Sequence, residues 1–325
     1  KGEGESIALP HTWNAVDGQD GGNDYHRGTC WYVKKFAKPE KNETDKAYLE
    51  FCGAAMTAEI YLNGEKISRH EGGYSTFRVE ITERLEEENT LVVSVDNSNN
   101  TTVYPQTADF TFYGGLYRDV NLIIVPETHF ELAYCGSQGI KVTPVVNLEE
   151  KKAVVTVEAW VCGDADMVTF EVNQEKINAS LEAGRAKAEF VIENVHLWDG
   201  VDDPYLYTAK AFMENGDIVS TRFGCRKYYI DPQKGFFLNG HPYLLRGVSR
   251  HQDFKGVGNA LTIEHHKKDM EIIKEIGATT LRLAHYQHAQ EFYDLCDENG
   301  LIVWAEIPYI TMHMKNGRAN TLSQM

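Results

Sequence analysis

The sequence predicts a multidomain protein in which two β-sandwiches precede the opening βα units of an α/β barrel. Its 325 residues exceed the roughly 100–200 residues of a typical single domain. Up to about residue 228, short strand-like runs alternate with clusters of Gly, Asn, Asp and Pro. From residue 243 onward, three short apolar runs alternate with two amphipathic segments. That alternation is typical of consecutive βα units on a parallel sheet.

Residues 1–127 are expected to form a β-sandwich or jelly roll, because runs such as NTLVVSVDN and RDVNLIIVP are short and bounded by turn residues. Asn63-Gly64 stands between two of these runs and predicts a two-residue hairpin turn, since both positions tolerate a positive φ. Aromatic side chains can bury large apolar areas, so we expect Trp31 to belong to the core. For Trp13, core packing and stacking on a sugar both remain open.

Residues 128–228 are expected to form an immunoglobulin-like β-sandwich. Five longer alternating runs follow one another in this segment, namely KAVVTVEAWV, MVTFEVN, AKAEFVIEN, YLYTAKAFM and IVSTRFGCR. Several such strands separated by turn signals favour a sandwich. The segment carries no residue pattern that suggests chemistry. We therefore interpret Trp160 and Trp198 as packing residues and the domain as a spacer.

Residues 229–325 are expected to begin a TIM (β/α)8 barrel and to contain about its first three βα units. Asn239-Gly240 predicts a turn near the start of this segment. The second amphipathic stretch predicts a helix that buries Phe292, Leu295 and Cys296. Gly300 is expected to end that helix.

The first amphipathic stretch of the barrel segment also predicts a helix. Its apolar face is formed by Ile263, Met270, Ile273 and Ile276. Thr262 is expected to cap the amino terminus of this helix, and Gly277 is expected to end it. We interpret His265 and His266 as solvated residues on or near its polar face.

Composition excludes some classes of function. A net charge of −16 argues against nucleic-acid binding, which requires basic surfaces. The chain contains no apolar run of the roughly 18 residues that a membrane-spanning helix needs. Six scattered cysteines without CxxC spacing are expected to be small buried side chains, which favours a cytoplasmic location. A periplasmic or secreted location stays open, because the sequence starts abruptly at Lys1.

Two of the predicted barrel strands end at a histidine. His251 follows YLLRGVSR, and His285 follows TTLRLA. The carboxyl ends of parallel strands lie at one end of a barrel, where the βα loops open and active sites form. The two imidazoles are therefore expected to lie close together at a functional site.

Three segments of the barrel region carry a family resemblance. These segments are NGHPYLLRGVSRH, GATTLRLAHYQHAQEFYDLCDENGL and VWAEIP. They resemble the start of the catalytic barrel of glycoside hydrolase family 2. Within that family, they resemble bacterial β-galactosidases most. Upstream, LPHTWN, DYHRGTCWYVKKF and YGGLYRDVNL are similar to the sugar-binding jelly roll of that family. HLWDGVDDPYLY is similar to a segment of its immunoglobulin-like domain. The resemblance covers essentially the whole sequence.

The resemblance implies a retaining exo-β-glycosidase that hydrolyses terminal β-D-galactosides. β-Glucuronidase and β-mannosidase of the same family are alternatives, and so is a non-catalytic carbohydrate-binding protein. By the same resemblance, His251 and His285 would bind substrate hydroxyls, and Asp109 would reach the sugar from a jelly-roll loop. Arg282 would orient the nucleophile, with a surface ion pair as the alternative interpretation.

The two catalytic glutamates of the family are expected to lie beyond Met325. The resemblance places the acid/base glutamate in an Asn-Glu pair after the fourth barrel strand, and the nucleophile after the seventh. Glu306 matches a different glutamate, at the end of the third strand. We therefore expect the 325-residue chain to be inactive on its own.

The resemblance implies no required cofactor. Some family members bind Mg²⁺ through Glu and His residues after the third strand, but Ile310 and Met312 stand at those positions. His313 is displaced from them by one residue, and neither Ile nor Met provides the oxygen ligands that Mg²⁺ prefers. The expected partner is a β-galactoside or related oligosaccharide, with no nucleic acid and no membrane. We also expect a homo-oligomer.

Overall fold

A computed structural model describes residues 4–22 and 24–317, and it confirms the predicted fold class. Two antiparallel sandwiches come first, a small antiparallel sheet follows, and a parallel three-stranded sheet with two helices comes last. The domain boundaries at residues 127/128 and 228/229 stay predictions. None of the helices in the described part of the chain combines the length and apolarity that crossing a membrane requires.

The first sandwich contains seven strands in two sheets. They are β1 (Thr29–Ala37), β2 (Lys46–Phe51), β3 (Thr57–Leu62), β4 (Glu65–Glu71), β5 (Phe77–Glu80), β6 (Glu88–Asp96) and β7 (Val120–Val125). One sheet has the order β1-β6-β3-β4 and the other the order β5-β2-β7. Their inner faces share an apolar core that includes Phe51, Ile60 and Val93. Asn63 and Gly64 connect β3 to β4 with φ values of 52° and 88°, which confirms the predicted hairpin turn.

The two tryptophans of this sandwich differ in environment. Trp13 packs against the core, and its ring lies so close to Gly114 that a Cβ atom there would overlap it. Core packing is therefore the interpretation that holds for Trp13. Trp31 is 60% exposed, so the expectation that it belongs to the core is wrong. Side chains alternate across a strand, and on β1 Tyr32 takes the inward position while Trp31 points outward.

The second sandwich contains eight strands. They are β8 (His129–Phe130), β9 (Ile140–Asn147), β10 (Lys152–Cys162), β11 (Met167–Val172), β12 (Glu175–Ser180), β13 (Arg185–Glu193), β14 (Tyr207–Phe212) and β15 (Ile218–Phe223). The order β13-β10-β8, with β9 also paired to β10, faces the order β12-β11-β14-β15. Strict alternation on β13 directs every second side chain into a core that contains Phe130, Phe170 and Phe190.

A small antiparallel sheet then leads into the parallel sheet. It consists of β16 (Tyr228–Asp231), β17 (Gly235–Leu238) and β18 (His241–Pro242). Asn239 and Gly240 form the turn between its last two strands with φ values of 52° and 85°, as predicted. Trp198 is buried and donates a hydrogen bond from Nε1 to the backbone oxygen of Asp297 at 2.9 Å, which confirms its packing role.

The parallel sheet has the order β19-β20-β21. Its elements in chain order are β19 (Gly247–Arg250), α1 (Ile263–Glu275), β20 (Thr280–Leu283), α2 (Gln290–Glu298) and β21 (Ile302–Ala305). Both helices pack on one face of the sheet, where Leu281 and Leu283 meet Phe292. On the other face, Arg282 stands in register with Ser249 and Trp304.

Both predicted helices are present, and their ends follow the sequence signals. Thr262 caps α1 in a reciprocal arrangement with His265, the capping box. Gly277, with a φ of 71°, lies two residues beyond the end of α1, and Gly300, with a φ of 73°, lies two residues beyond the end of α2. A left-handed conformation after a helix favours glycine because it has no Cβ.

The interpretation of His266 as a solvated residue is wrong, since only 3% of it is exposed. His266, Met270 and Ile273 recur at intervals of four and three residues and form the buried stripe of α1. Ile263 and Ile276, which were expected on that stripe, are exposed. The prediction of buried cysteines holds for Cys225 and Cys296 but is wrong for Cys135, which is exposed.

Candidate active site at the strand ends

The carboxyl ends of the three parallel strands bring polar side chains together. His251 directly follows β19, His285 lies two residues after β20, and Glu306 directly follows β21. Because the strands are parallel, these ends meet at one edge of the sheet. The imidazole centroids of His251 and His285 are 5.2 Å apart. The structure thus places the two histidines together, and their role in binding substrate stays a prediction.

Arg282, His285 and Glu306 form one hydrogen-bonded group. Arg282 donates from Nε to Glu306 Oε1 at 2.5 Å, and His285 Nδ1 lies 2.8 Å from Glu306 Oε2. The side chain of Arg282 is 45% exposed, on the sheet face opposite the helices. Its contacts therefore match the ion-pair alternative. Its action on a nucleophile stays a prediction.

The contacts of His285 determine which of its nitrogens carries the proton. Nδ1 lies 3.0 Å from Arg282 Nη2 and 2.8 Å from Glu306 Oε2, and a single ring nitrogen cannot accept from the first while donating to the second. Donation to the carboxylate is favoured, because a hydrogen bond to an ionised acceptor is the stronger of the two. In a neutral ring, Nε2 is then the nitrogen that accepts.

Glu306 remains ionised in this environment. Burial raises the pKa of its carboxyl group, but the hydrogen bonds from Arg282 and His285 outweigh burial and lower the pKa below its ordinary value of 4.5. At neutral pH the group is therefore an anion that holds its two neighbours in place. It has no proton to donate.

His251 is a neutral imidazole at neutral pH. Burial lowers its pKa, the neighbouring His285 lowers it further, and Asp253 and Asp109 partly oppose the shift. Its Nδ1 is 3.5 Å from the hydroxyl of Tyr286, which is a weak contact. A neutral imidazole offers one donor and one acceptor, which suits the hydroxyl group of a sugar.

Asp109 reaches this cluster from a loop of the first sandwich. It is exposed, and its carboxylate is near enough to His251 to act on the pKa of that imidazole. The next residue, Phe110, lies against the rings of His251, His285 and Tyr286, with centroid distances of 5.3, 6.0 and 5.5 Å. Asp109 thus lies at the predicted place, and its contact with a sugar stays a prediction.

Two aromatic residues of the cluster were not predicted from sequence. Phe110 forms an apolar wall beside the histidines, and Tyr286 stacks on Tyr74 of the first sandwich at a centroid distance of 4.0 Å. Both adjoin a predicted residue in the chain, Phe110 next to Asp109 and Tyr286 next to His285. Their position next to a predicted site residue is the sequence signal that could have identified them, but it does not reveal the direction in which either ring points.

Arg118 fixes the first sandwich onto the βα units. Its Nη2 donates to Gln252 Oε1 at 2.7 Å and to the backbone oxygen of Gln287 at 2.6 Å. Its Nη1 donates to the backbone oxygens of Cys52 and Tyr74 within the sandwich. One guanidinium therefore links the loops after β19 and β20 to the domain that carries Asp109.

A second cationic cluster supports the strand ends from the helix side. Arg250 is buried, pairs with Asp269 and lies over the ring of Phe292 at 3.7 Å. It donates to Nδ1 of His266 at 3.0 Å and to Nδ1 of His288 at 3.1 Å. Because Nδ1 accepts in both rings, both imidazoles are held neutral. This cluster fixes β19 to both helices directly beneath His251.

The positions that bind Mg²⁺ in some family members carry different residues in this chain. Among residues 4–22 and 24–317, no three His, Cys, Asp or Glu side chains are grouped as ligands. His313, the residue displaced by one from the family positions, contacts the hydroxyl of Tyr309 through Nδ1 at 2.9 Å. Ile310 and Met312 provide no oxygen ligand, so these residues do not fit Mg²⁺.

Three family models match successive parts of the chain. Residues 21–116 match a glycosyl hydrolase 2 galactose-binding domain-like model, and residues 127–226 match a glycosyl hydrolases family 2 model. Residues 231–324 match the TIM barrel domain of glycosyl hydrolases family 2. The chain belongs to glycoside hydrolase family 2. The strand-end cluster of His251, Arg282, His285 and Glu306 lies in the part of the chain that matches the barrel model.

Relatives within family 2 carry two different activity names. The chain is 37% identical to a β-glucuronidase of Bacteroides fragilis over 95% of its own length and 47% of that relative. It is 31% identical to a β-galactosidase of Thermoanaerobacter pseudethanolicus over 94% of its length and 42% of that relative. A crystal structure of an FMN-binding β-glucuronidase from Facaelibacterium prausnitzii L2-6 superimposes with a TM-score of 0.91, at 42% identity. That superposition covers 98% of this chain and 51% of the other.

The chain spans about half the length of the family 2 relatives that it matches. The expected preference for galactosides is not confirmed, because the β-glucuronidase of B. fragilis is more similar to this chain than the β-galactosidase of T. pseudethanolicus. The assignment of the chain to family 2 does not depend on which of the two sugars is preferred.

Proposed function

We propose that this chain forms the jelly roll, the immunoglobulin-like domain and the first barrel units of a retaining exo-β-glycosidase. The observation that carries the proposal is the strand-end cluster, where His251, His285 and the Arg282–Glu306 pair face Asp109 from another domain. Imidazoles and a carboxylate provide hydrogen-bond donors and acceptors for sugar hydroxyls. Phe110 adds an apolar wall against which a sugar ring can pack.

The described residues fit a supporting role rather than the bond-breaking step itself. Retaining hydrolysis needs one carboxylic acid with a raised pKa and one carboxylate nucleophile, about 5–5.5 Å apart. Glu306 has a lowered pKa and is bound to two partners, so it is unsuited to donate a proton. We propose that the acid/base and nucleophile glutamates come from later strands of the same barrel.

Arg282 has a suitable geometry for orienting such a nucleophile. Glu306 holds its guanidinium at the strand end, yet 45% of the side chain remains exposed on the face opposite the helices. A guanidinium has five donors, so the pairing with Glu306 leaves others available for a second carboxylate. A positive charge next to that carboxylate would lower its pKa and keep it ionised.

For the sugar, we propose a terminal β-glucuronide, with a β-galactoside as the second candidate. The first candidate is supported by the B. fragilis and F. prausnitzii relatives, which are named β-glucuronidases. The second is supported by the T. pseudethanolicus relative, which is named β-galactosidase. Hydroxyl-binding groups such as His251 and His285 suit both sugars. The two sugars differ in the configuration of the C4 hydroxyl and at C6, which is a carboxylate in one and a hydroxymethyl group in the other, so further residues must discriminate between them at these two positions.

A panel of p-nitrophenyl β-glycosides tests the proposal on the full-length protein that contains this chain. We expect the glucuronide to be cleaved with the highest kcat/KM, and NMR to show the β-anomer as the first product. A preference for the galactoside by tenfold or more would favour the second candidate. Absence of cleavage for the glucuronide, galactoside and mannoside alike would overturn the assignment as a glycosidase.

The 325-residue chain provides the matching test for the missing glutamates. Purified alone, it should cleave none of the p-nitrophenyl glycosides that the full-length protein cleaves. Turnover by the short chain at a rate near that of the full-length protein would mean that the acid/base and the nucleophile are among these residues. A non-catalytic carbohydrate-binding protein is the alternative if the full-length protein binds these sugars without cleaving them.

A further inference from the structure

The outer face of the sheet β1-β6-β3-β4 carries an aromatic and polar surface that the proposed function does not use. The strand registers place Trp31 opposite Ser94, Ser94 opposite Glu59, and Glu59 opposite Arg69. These four residues therefore form one row across four strands, on one face of the sheet. Strands lie about 4.8 Å apart, so the row is about 14 Å long.

A cavity of about 350 Å³ lies along this row. Its lining consists of Thr29, Trp31, Met56, Thr57, Glu59, Arg69, Ser94, Asp96, Ser98, Asn99 and Asn100. Trp31 stands at its margin with 60% of its surface exposed, and the ring of Tyr61 lies 6.1 Å away at a tilt of 43°. All of these residues belong to the first sandwich, and none belongs to the strand-end cluster.

The polar groups beside Trp31 are already fixed in position. Glu59 accepts hydrogen bonds from Lys66 at 2.6 Å, Arg69 at 2.8 Å and Tyr61 at 2.7 Å. The bond from Lys66 contributes most to lowering the pKa of Glu59, to about 2, and those from Tyr61 and Arg69 add to it. Groups held in this way lose little conformational freedom when a ligand binds.

A second carboxylate borders the cavity and is held in the same way. Asp96 accepts from the hydroxyl of Thr29 and from the backbone N–H of Ser98, both at 2.6 Å. An ionised carboxylate offers about four acceptor sites and a guanidinium five donors, so Asp96, Glu59 and Arg69 keep capacity for further hydrogen bonds. The cavity therefore presents both acceptors and donors.

The charge and shape of this surface indicate the class of its ligand. Lys66, Arg69 and Arg27 offset Glu59, Glu71 and Asp96, so the surface favours a neutral ligand over a polyanion or a polycation. The centre of a protein–protein interface is typically depleted in charged residues, and here the charged residue Glu59 lies near the centre of the row, next to Arg69 at its end. A pyranose has one apolar CH face and a rim of hydroxyls, which matches an exposed indole beside fixed donors and acceptors.

We propose that the surface formed by Trp31, Ser94, Glu59 and Arg69 binds a short stretch of a neutral β-linked oligosaccharide. Trp31 stacks on one pyranose ring, and Glu59, Arg69 and Asp96 bind the hydroxyls of that ring or the next. This site goes beyond the proposed hydrolysis, because it would bind a polysaccharide chain on the first domain whether or not the barrel hydrolyses the end of that polysaccharide.

Affinity electrophoresis of the full-length protein tests the proposal. Native gels that contain hydroxyethyl cellulose or soluble β-1,4-galactan should retard the wild-type protein relative to a gel without polysaccharide. Trp31→Ala should lose that retardation, with an apparent Kd at least tenfold higher. Val33→Ala is the matched control, because Val33 is exposed on the same face of β1 but does not line the cavity. It should migrate like the wild type.

Retardation of the wild type by neither polysaccharide would overturn the proposal, and so would equal retardation of the wild type and Trp31→Ala. Light scattering adds the remaining outcome: if Trp31→Ala changes the oligomeric mass, the face is a subunit interface and the proposal is wrong. Hydrolysis of the p-nitrophenyl glycosides should be unchanged in Trp31→Ala. Because retardation needs no turnover, it can succeed or fail independently of the proposed glycosidase activity.

Discussion

The immunoglobulin-like sandwich and the parallel βα sheet are both stabilised by apolar packing, but they differ in which sheet faces that packing covers. In the sandwich, two sheets cover each other, and the inward side chains of β10, β11, β13 and β14 form one continuous core. In the parallel sheet, α1 and α2 cover only one face, where Leu281 and Leu283 are buried. On the opposite face, Arg282 and Trp304 are exposed.

This difference explains where the candidate chemistry lies. The two sandwich faces that cover each other have no place for an uncompensated charge, since burying one is costly. The parallel sheet keeps polar groups at its strand ends and on its open face, where Glu306, Arg282 and His285 satisfy one another. We expect substitutions in the sandwich to affect stability, and substitutions at the strand ends to affect function.

The largest effect should come from removing a ring from the sandwich core. Phe170→Ala deletes a fully buried side chain, so it should lower the free energy of unfolding by about 3–5 kcal/mol through lost burial and a residual cavity. Phe212→Ala is the control, because Phe212 lies on the neighbouring strand with its side chain on the other, partly exposed face. Calorimetry of both variants should show a much smaller loss for Phe212→Ala. Equal losses would mean that the core is not organised as described.

At the strand ends, Glu306→Gln should reduce activity much more than stability. The variant keeps the shape of the side chain but removes the charge that holds Arg282 and His285. We expect kcat/KM of the full-length protein to fall by about 100-fold, as is typical when a positioning group is lost. Arg282 is partly exposed and can be hydrated, so the free energy of unfolding should change by less than about 1 kcal/mol. Activity within twofold of the wild type would contradict a role in orienting these residues.

A third prediction concerns the dependence of stability on pH. Burial, with the neighbouring Arg250 adding to it, lowers the pKa of His266 from 6.5 to about 3. Between these values the unfolded chain binds the proton and the folded chain does not. The contribution of His266 to stability is therefore complete above pH 6.5 and is lost progressively as the pH falls towards 3.

Melting temperatures measured between pH 7 and pH 4 check this prediction. His266→Gln can still accept from Arg250 but does not titrate, so its melting temperature should fall less steeply than that of the wild type. His265→Gln is the control, because His265 is the less buried neighbour and Gln suits its place in the capping box. If the two variants show the same pH dependence, His266 is not the group responsible.

The smallest effect should come from the ion pair that joins the two regions. Arg222 on β15 pairs with Glu298 at the end of α2, and both side chains are 43% exposed. Exposed pairs of this kind contribute about 0–1 kcal/mol. A double-mutant cycle with Arg222→Ala and Glu298→Ala should therefore give a coupling energy below about 1 kcal/mol. A larger value would make this contact, rather than the hydrogen bond from Trp198 to Asp297, the main polar link between the immunoglobulin-like sandwich and α2.

The local features of the fold could be predicted from short patterns. Asn63-Gly64 and Asn239-Gly240 form the turns that their dipeptides favour, and Thr262 caps the helix that follows it. These features depend on neighbours in the chain, so the local sequence contains the necessary information. The strand-end histidines were also accessible, because parallel strands fix the direction in which each strand ends.

Burial of particular side chains could not be predicted in the same way. The same alternation on β1 would allow either Trp31 or Tyr32 to face inward, and the packing of the second sheet decided for Tyr32. His266 looked like a solvated residue, yet Arg250, from a strand sixteen residues earlier, supplies the partner that allows its burial. Phe110 and Tyr286 needed the docking of two domains before their place beside the histidines was defined.

The sequence by itself determined the order of the domains, the turns, the helix ends and the family, because each of these depends on residues close together in the chain or on long matching motifs. Only the tertiary structure decided that Glu306 is held as an anion between Arg282 and His285, and that Asp109 and Phe110 reach the cluster from another domain. The physical reason is that the charge state and exposure of a side chain depend on the groups packed around it, which the chain brings together from distant positions.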